Sequence, residues 1–313
     1  MPIEPSTAGS LLTAQRSASV ETSTGNRAGM SRSSKRIRAG VWKSILPMLP
    51  LTIIFIIGFL LPMLTVLRFS FDQFDLGTGL QIPAWSLDQI GIVLSSPLYR
   101  SLVLRTLSMA AVTTVIAALL SYPLAHLINR GPRVLRGLLL AVVLTPMMVS
   151  VVVKTFGWTV LLNSNGLLQS FVSDLGIPVQ LLYSPTGVVI GLVHTYMPFM
   201  AMSLIASYAT ADPRLEDAAR SLGSTPLGAF FRITLPQTYP GLVAGAVLTF
   251  VTSMSALVTP QLLGGGKVST IVTSIYDQAM TSQNWPLASA LGIVLMVLTA
   301  LILSIQVVFR RVN

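Results

Sequence analysis

Few residues in this chain have the types and spacing that chemistry requires. Neither His126 nor His194 has a carboxylate or histidine companion at the spacing of a metal site, so no metal site is predicted. No Ser-His-Asp arrangement can be argued, and the 313 residues include no cysteine, which excludes cysteine nucleophiles, thiolate ligands and disulfides. No catalytic residue is therefore predicted.

The glycine-rich segment LGGGKVST, residues 263–270, does not fit a phosphate-binding loop. Val268 follows the lysine where such a loop needs Ser or Thr, and no glycine stands five positions before Gly266. We interpret the segment as a flexible turn. Since the sequence holds no other nucleotide-binding motif, we expect this chain to bind no cofactor, and any ATP hydrolysis to come from a separate subunit.

Two ionisable side chains lie inside apolar runs, where such groups are costly and mark candidate functional sites. Lys154 stands in VSVVVKTFGW with Trp158 nearby, and His194 is followed by Tyr196. These four residues are candidates for lining a solute pathway. Structural alternatives remain open, because Lys154 can reach the membrane interface along its alkyl stem and His194 can be a hydrogen-bonded packing residue.

The most informative stretch is a polar segment, residues 212–236, between two apolar runs. Asp212 is a suitable N-cap, and Pro213 suits the first helical position, where a missing N–H costs nothing. Glu216 and Arg220 are predicted to pair at i, i+4 on one side of this helix. Helical spacing predicts an apolar face on the other side, formed by Leu215, Ala218, Ala219 and Leu222.

The same segment contains a second start signal and a stop signal. Gly223 stands where a glycine ends a helix, and Thr225-Pro226 then begins another. Pro236 is predicted to end that second helix. The segment is therefore expected to form two short amphipathic helices joined by a glycine turn.

The spacing of residues in this hairpin also matches a known signature. Asp217-Ala218-Ala219 is followed, three residues later, by Gly223, and nine residues after that by Ile233 and then Leu235-Pro236. In this the chain resembles the inner-membrane permeases of bacterial ABC importers, whose signature begins with Glu-Ala-Ala. Asp217 stands where Glu is usual, and Glu216 precedes it. The resemblance implies a coupling helix that docks on an ATPase subunit, with coupling residues Glu216, Asp217, Ala218, Ala219, Gly223, Ile233, Leu235 and Pro236.

The elements that position these residues are apolar helices. The chain is 52% hydrophobic and 10% charged, with a mean hydropathy of +0.75, whereas soluble domains have about 25% charged residues. Several apolar runs are long enough to cross roughly 30 Å of hydrocarbon, and none of them holds Asp or Glu. We predict an all-α integral membrane protein with six transmembrane helices, near Ile45–Leu67, Leu102–Ile128, Gly137–Leu162, Gly187–Tyr208, Gly241–Leu263 and Pro286–Phe309.

The distribution of Lys and Arg predicts the orientation of these spans. Most of the 20 cations precede the first span, follow the second, lie in the hairpin or end the chain. Both termini and the hairpin are therefore expected on the cytoplasmic side of a bacterial inner membrane. The net charge of +10 is explained by this topology, so nucleic-acid binding is not needed to account for it.

The chain before the first span differs in composition from the rest. Residues 1–42 are rich in Ser, Thr, Ala, Gly and Arg and poor in bulky apolar residues, which predicts a disordered basic cytoplasmic tail. A transit peptide is the less favoured interpretation. Residues 43–313 are predicted to form one transmembrane permease domain, with its core at about 100–310.

Further stretches extend the resemblance to the spermidine/putrescine branch of these permeases. They are SYPLAHLI (121–128), KTFGWTVLLNSNGLLQS (154–170), residues 194–224, LPQTYPGLVAGAVLTF (235–250), LVTPQLLGGGK (257–267) and NWPLASALGIVL (284–295). The long loop of residues 69–99 resembles that of the first permease of such pairs. Because the branch also includes transporters of phosphonates, opines and other organic amines, these solutes remain alternatives.

What this resemblance implies is a type I importer fold and a set of partners. A periplasmic solute-binding protein would deliver the solute to a heterodimer of this chain with a second permease, embedded in lipid. Two ATP-binding subunits would use ATP and Mg²⁺ on the cytoplasmic side. A channel, an ion-driven secondary transporter or a scaffold without transport function are the alternatives of other classes; the first two would need intramembrane acids, which the predicted spans lack.

Overall fold

The computed structural model describes residues 49–75 and 77–312. The predicted tail, residues 1–42, lies outside the described residues, as does the start of the first predicted span. The chain divides into two units between Thr65 and Val66. The described elements are α1 (Leu49–Phe69), β1 (Gln73–Asp75), β2 (Leu80–Ile82), α2 (Asp88–Ser95), α3 (Pro97–Arg130), α4 (Arg133–Met148), α5 (Val151–Leu162), α6 (Leu167–Asp174), α7 (Pro185–Thr210), α8 (Pro213–Ser221), α9 (Pro226–Ala229), a first π turn (Phe230–Thr234), α10 (Leu235–Met254), α11 (Val258–Gly264), α12 (Ile271–Tyr276), a second π turn (Asp277–Thr281) and α13 (Trp285–Val312).

The prediction of a helical membrane protein is confirmed, but not every predicted span is one continuous helix among the described residues. Within residues 49–75 and 77–312, four helices are long and apolar enough to cross a membrane, and the number rises to six if each of two bent pairs is one span. The uninterrupted ones lie in α1, α3, α7 and α13.

The third predicted span, Gly137–Leu162, is broken near its middle. Helix α4 ends at Met148, and the chain turns by 103° into the segment that begins at Val151. Val149 and Ser150 have extended backbone between the two helices. The Lys154 ammonium donates to the Pro146 carbonyl at 2.9 Å, and a cation at a helix C-terminus satisfies a carbonyl that the helix itself leaves free.

The fifth predicted span, Gly241–Leu263, is likewise broken. Helix α10 begins at Leu235, earlier than predicted, and ends at Met254, after which the chain bends by 59° into α11. Pro260 lies in the first turn of α11, where its missing N–H would have had no helical partner. The break therefore accommodates a proline that would otherwise interrupt a continuous helix.

Helices α3, α7 and α10 pack together and position the hairpin. Small residues allow α7 and α10 to approach closely, as is typical of helix pairs in membranes. A Cβ at Gly241 would lie 2.3 Å from Ser207 Cβ, and one at Gly245 would lie 2.8 Å from Met200 Sδ. Ser203 Oγ donates to the Gly241 carbonyl at 2.8 Å. A core of Ala117, Ala125, Met200, Leu204 and Tyr208 fills the contact between α3 and α7.

The long loop at residues 69–99 is folded rather than structureless, with an antiparallel hairpin (β1–β2) followed by α2. Asp72 is buried at its base and accepts hydrogen bonds from Arg68, Gln81 Nε2 and the Ala84 N–H. Burial acts to raise the pKa of Asp72, but these hydrogen bonds together outweigh it and hold the pKa below its ordinary value. Arg68 also lies over the Trp85 ring, 4.5 Å from its centroid.

The glycine-rich segment forms a turn, as predicted, and that turn is anchored. Gly265 and Gly266 have positive φ angles of 54° and 77°. The Tyr183 N–H donates to the Leu263 carbonyl at 2.9 Å, and Lys267 Nζ lies 5.9 Å from the Tyr183 ring centroid. The Tyr183 ring packs so closely on Gly265 that no Cβ fits there.

Candidate functional site

The first helix of the hairpin begins as the sequence predicts. The Asp212 side chain caps α8 by accepting from the Arg214 N–H at 2.9 Å, and Pro213 occupies the first helical position. The Asp212 N–H donates to Gln237 Oε1 at 2.9 Å. Because Gln237 belongs to α10, this bond joins the start of the hairpin to the helix that follows it.

The glycine turn at the end of α8 is a Schellman motif. Gly223 has a φ of +89°, its N–H donates to the Arg220 carbonyl at 3.0 Å, and the Ser224 N–H donates to the Ala219 carbonyl at 3.0 Å. A Cβ at Gly223 would meet no atom within 4 Å. The constraint at this position is therefore the left-handed backbone, not crowding.

The second half of the predicted hairpin is not a separate short helix, and Pro236 does not stop it. Thr225 caps α9 by accepting from the Gly228 N–H at 3.1 Å. The chain then passes through the first π turn directly into α10, which continues to Met254. The Leu235 N–H donates to the Phe230 carbonyl, five residues back. This wider turn immediately precedes Pro236, whose ring would clash with the carbonyl four residues back in a regular α-helix.

Much of the hairpin surface is apolar and exposed. Leu222 is 89% exposed, Leu227 71%, Phe231 60% and Leu215 51%. Beside these side chains, Asp217 and Ala218 are exposed as well, and Ala219 is half-buried. Within the part of the chain that the structure describes, three of the four residues of the predicted apolar face of α8 remain exposed, namely Leu215, Ala218 and Leu222. Of the remaining signature residues, Gly223 and Pro236 are exposed, and Ile233 and Leu235 are half-buried.

The predicted Glu216–Arg220 pair is wrong. Glu216 Oε2 instead lies 3.4 Å from Arg130 Nη2 at the end of α3, and it accepts a hydrogen bond from Thr234 Oγ1 at 2.8 Å. Arg220 is exposed. The tertiary contact prevails because both of its partners are partly shielded from water, whereas an exposed i, i+4 pair contributes only a few tenths of a kcal/mol.

Arg130 and Thr234 are therefore residues that sequence reasoning missed. In the sequence, Arg130 is one of the cations that follow the second predicted span, and Thr234 occupies the unspecified position between Ile233 and Leu235 of the signature. A second contact lies nearby, where the Tyr122 and Thr238 hydroxyls share a hydrogen bond. These contacts do not follow from helical spacing, because Arg130 lies 86 positions and Thr234 18 positions from Glu216, and Tyr122 lies 116 positions from Thr238.

Three of the four predicted pathway residues lie close together. The Trp158 and His194 rings meet edge to face with centroids 5.5 Å apart. His194 lines a cavity of about 170 Å³ together with Pro146, the residue whose carbonyl Lys154 binds. Tyr196 packs, as Trp158 does, against the buried core that includes Leu192. The structure therefore brings Lys154 and His194 to Pro146 beside the break between α4 and α5, with Trp158 in contact with His194.

His194 does not have the hydrogen-bonded environment that the packing alternative supposes. Its Nδ1 is buried and has no hydrogen-bond partner among the described residues. The cavity beside it is lined otherwise by apolar side chains of α3, α4 and α7. Within the described part of the chain, no group of three potential metal ligands is present.

Replacing Lys154 by methionine is expected to lower the melting temperature of the purified protein by about 3 °C or more, because a charge-assisted hydrogen bond to Pro146 is lost. The Michaelis constant for solute uptake is expected to change less than about twofold, since the ammonium is engaged with backbone. Lys154→Arg, which keeps a donor, is the control. A raised Michaelis constant with an unchanged melting temperature would instead make Lys154 a solute contact.

Comparison with known proteins identifies relatives along most of the chain. Residues 117–312 match the family described as binding-protein-dependent transport system inner membrane component. The spermidine/putrescine transport system permease protein of Haemophilus influenzae is 36% identical, with 70% of this chain and 77% of that protein covered. Its namesake from Escherichia coli K12 is 32% identical, with 80% of this chain and 94% of that protein covered.

A solved structure shows the same fold. It is a bacterial ABC transporter involved in the import of the acidic polysaccharide alginate, with a TM-score of 0.69 over 87% of this chain and 98% of the matched chain. The sequence identity is 21%, so this likeness concerns the fold alone. The bent helix pairs described above are therefore compatible with the architecture of an ABC importer permease.

Proposed function

The chain belongs to the binding-protein-dependent transport system inner membrane component family, and from this premise we propose that it imports polyamines of the spermidine/putrescine type. It is a multi-pass inner-membrane permease subunit rather than an enzyme. The observation that carries the solute class is the identity of 36% to a spermidine/putrescine permease over most of both chains. Phosphonates, opines and other organic amines are the alternative solutes.

The partners follow from this role. A periplasmic binding protein delivers the solute, and this chain forms the pathway with a second permease in a heterodimer. Two ATP-binding subunits use ATP and Mg²⁺ on the cytoplasmic side, where the hairpin and both chain termini lie. The excess of cations in the hairpin and beside the first and last spans supports this orientation.

The hairpin is the coupling element in this proposal. Its exposed side chains, with Leu222 89% and Leu227 71% exposed, form an apolar surface beside the Asp217 carboxylate. Such a surface at the end of a membrane protein supports docking of a partner protein, and the family signature supports an ATPase subunit as that partner. Closure of the ATPase subunits would then displace α8 and, through its bond to Gln237, the adjoining α10.

We place the solute pathway near Trp158, His194 and Tyr196. Lys154 contributes indirectly, because its hydrogen bond to the Pro146 carbonyl supports the bend between α4 and α5. Aromatic faces and an imidazole suit an ammonium group, which interacts with ring faces and donates to a nitrogen lone pair. The spans hold no carboxylate, so tight binding of a polyamine belongs to the binding protein.

Uptake of labelled putrescine and spermidine in cells with and without the gene tests the solute. Deletion is expected to abolish saturable polyamine uptake, and the intact gene is expected to restore it. Unlabelled phosphonates, opines and other amines serve as competitors. Unchanged polyamine uptake, together with loss of uptake of one competitor class, would replace the proposed solute by that class and keep the importer.

A further inference from the structure

The two adjacent carboxylates of the hairpin face in different directions. The Glu216 side chain is 14% exposed and turned toward α3 and the first π turn, whereas Asp217 is exposed. Consecutive residues of a helix are separated by about 100°. One carboxylate is therefore available to a partner on the outside of the hairpin, and the other is used inside this chain.

Glu216 connects three separate elements. Its Oε2 lies 3.4 Å from Arg130 Nη2, at the last residue of α3, and accepts from Thr234 Oγ1 at 2.8 Å, in the first π turn. We call Arg130, Glu216 and Thr234 the hairpin clasp. Arg130 is 28% exposed along its side chain and Thr234 is 2% exposed. Such partly buried contacts are screened by salt much less than exposed pairs.

The clasp connects the hairpin to α3, which is not its neighbour in the sequence. The hairpin is covalently continuous with α7 and α10 but not with α3. A second set of contacts joins α3 to the base of the hairpin. The Tyr122 hydroxyl bonds to Thr238, and the Tyr122 ring meets Phe230 edge to face with centroids 5.0 Å apart. Tyr122 and Arg130 are about 12 Å apart along α3 at 1.5 Å per residue, so α3 holds the hairpin at two levels.

We infer that the hairpin clasp is the contact through which displacement of the hairpin moves α3, while the outward carboxylate of Asp217 belongs to the docking surface. Glu216 is thus a positioning residue, because it acts through Arg130 and Thr234 and does not contact the solute. This inference rests on the proposed function, because it divides the coupling role between two hairpin residues. Asp217 receives the motion at the docking surface, and Glu216 transmits it to α3. Loss of the clasp uncouples ATP hydrolysis from transport without releasing the ATPase subunits.

The test uses the complete importer, reconstituted with its partner subunits and binding protein. Three quantities are measured: solute transported per ATP hydrolysed, the ATPase rate, and the amount of ATPase subunit that co-purifies. Glu216→Gln and Arg130→Met are each expected to lower the transport-to-ATP ratio about fivefold or more, with normal co-purification. Glu216→Gln keeps an acceptor for Thr234 and removes only the charge.

A charge swap distinguishes a loss of coupling from a general loss of stability. Arg130→Glu combined with Glu216→Arg is expected to recover the ratio to within about twofold of the parent, because the opposite charges again meet. Arg133→Met is the matched control, since it removes an exposed cation three residues from Arg130 and is expected to change nothing. Asp217→Asn is expected to lower co-purification of the ATPase subunit instead.

Two outcomes would overturn the inference. One is an unchanged transport-to-ATP ratio in Glu216→Gln and Arg130→Met. The other is a lowered ratio that the charge swap fails to recover while the melting temperature falls, which would make the contact structural only. If the parent complex itself shows no ATP-dependent transport, the proposed function fails, and this result is distinguishable because it does not involve the variants.

Discussion

Replacing Gly223 by valine is expected to abolish solute uptake while the protein still inserts and accumulates in the membrane. Gly223 has a φ of +89°, which is costly for residues with a side chain and most costly for β-branched ones. No atom lies within 4 Å of a Cβ at this position, so the substitution distorts the turn without disturbing any packing. The penalty of about 1–2 kcal/mol or more falls on the Schellman motif that fixes the angle between α8 and α9.

Two controls belong to this prediction. Gly223→Asn is expected to retain much of the uptake, because Asn tolerates the left-handed region better than other residues. Gly137→Val is the matched substitution, since a Cβ there also meets nothing within 4 Å and no positive φ is involved. Transport at the parent rate by a membrane-inserted Gly223→Val protein would contradict the coupling role of this turn.

The charge of the hairpin surface is tested by Asp217→Arg, which is likewise expected to abolish uptake with insertion intact. Asp217 is exposed and makes no ion pair among the described residues, so its reversal leaves the fold of the chain unchanged. The variant is expected to lose its ATPase subunit on purification, because a reversed charge at a docking surface opposes association. Retention of the ATPase subunit together with normal uptake would refute this assignment.

Replacing Gly241 by leucine is expected to prevent accumulation of a stable protein. A Cβ at this position would lie 2.3 Å from Ser207 Cβ and 2.8 Å from the Ser203 backbone oxygen. Since part of the obstacle is backbone, α7 and α10 must separate, and the hydrogen bond from Ser203 Oγ to the Gly241 carbonyl is lost with the contact. Overpacking typically costs about 1–3 kcal/mol, and a forced separation of two central helices exceeds that range.

The measurement is the amount of folded protein recovered in detergent, with its melting temperature. Gly292→Leu is the matched control, because it places the same side chain in another long apolar helix where a Cβ meets nothing within 4 Å. It is expected to yield protein at the parent level. Equal recovery and equal melting temperatures for both variants would show that the close approach of α7 and α10 does not hold the core.

The local signals in the sequence predicted the first half of the hairpin well. An N-cap aspartate, a proline at the first helical position and a glycine after the last turn act within a few residues of one another, so α8 and its Schellman motif could be predicted from spacing. Pro236 was misinterpreted as a stop signal because the first π turn, which accommodates its ring, has no comparable signature in composition.

Contacts between distant residues could not be predicted in the same way. Glu216 has Arg220 at the favoured spacing, yet it binds Arg130, 86 positions away. The break near Val149 likewise lies inside a long, mainly apolar run, and hydropathy alone does not distinguish a straight span from a bent one. Lys154 was recognised as unusual, but its partner, the Pro146 carbonyl, depends on that bend.

Transport by the reconstituted complex distinguishes an ATP-driven importer from a channel or an ion-driven transporter. Proteoliposomes containing this chain, its partner permease and the two ATP-binding subunits are given labelled spermidine and the periplasmic binding protein, with ATP on the side of the hairpin. Accumulation of spermidine is expected to require both ATP hydrolysis and the binding protein. Accumulation driven by an ion gradient without ATP, or equilibration that is indifferent to ATP, would contradict this expectation.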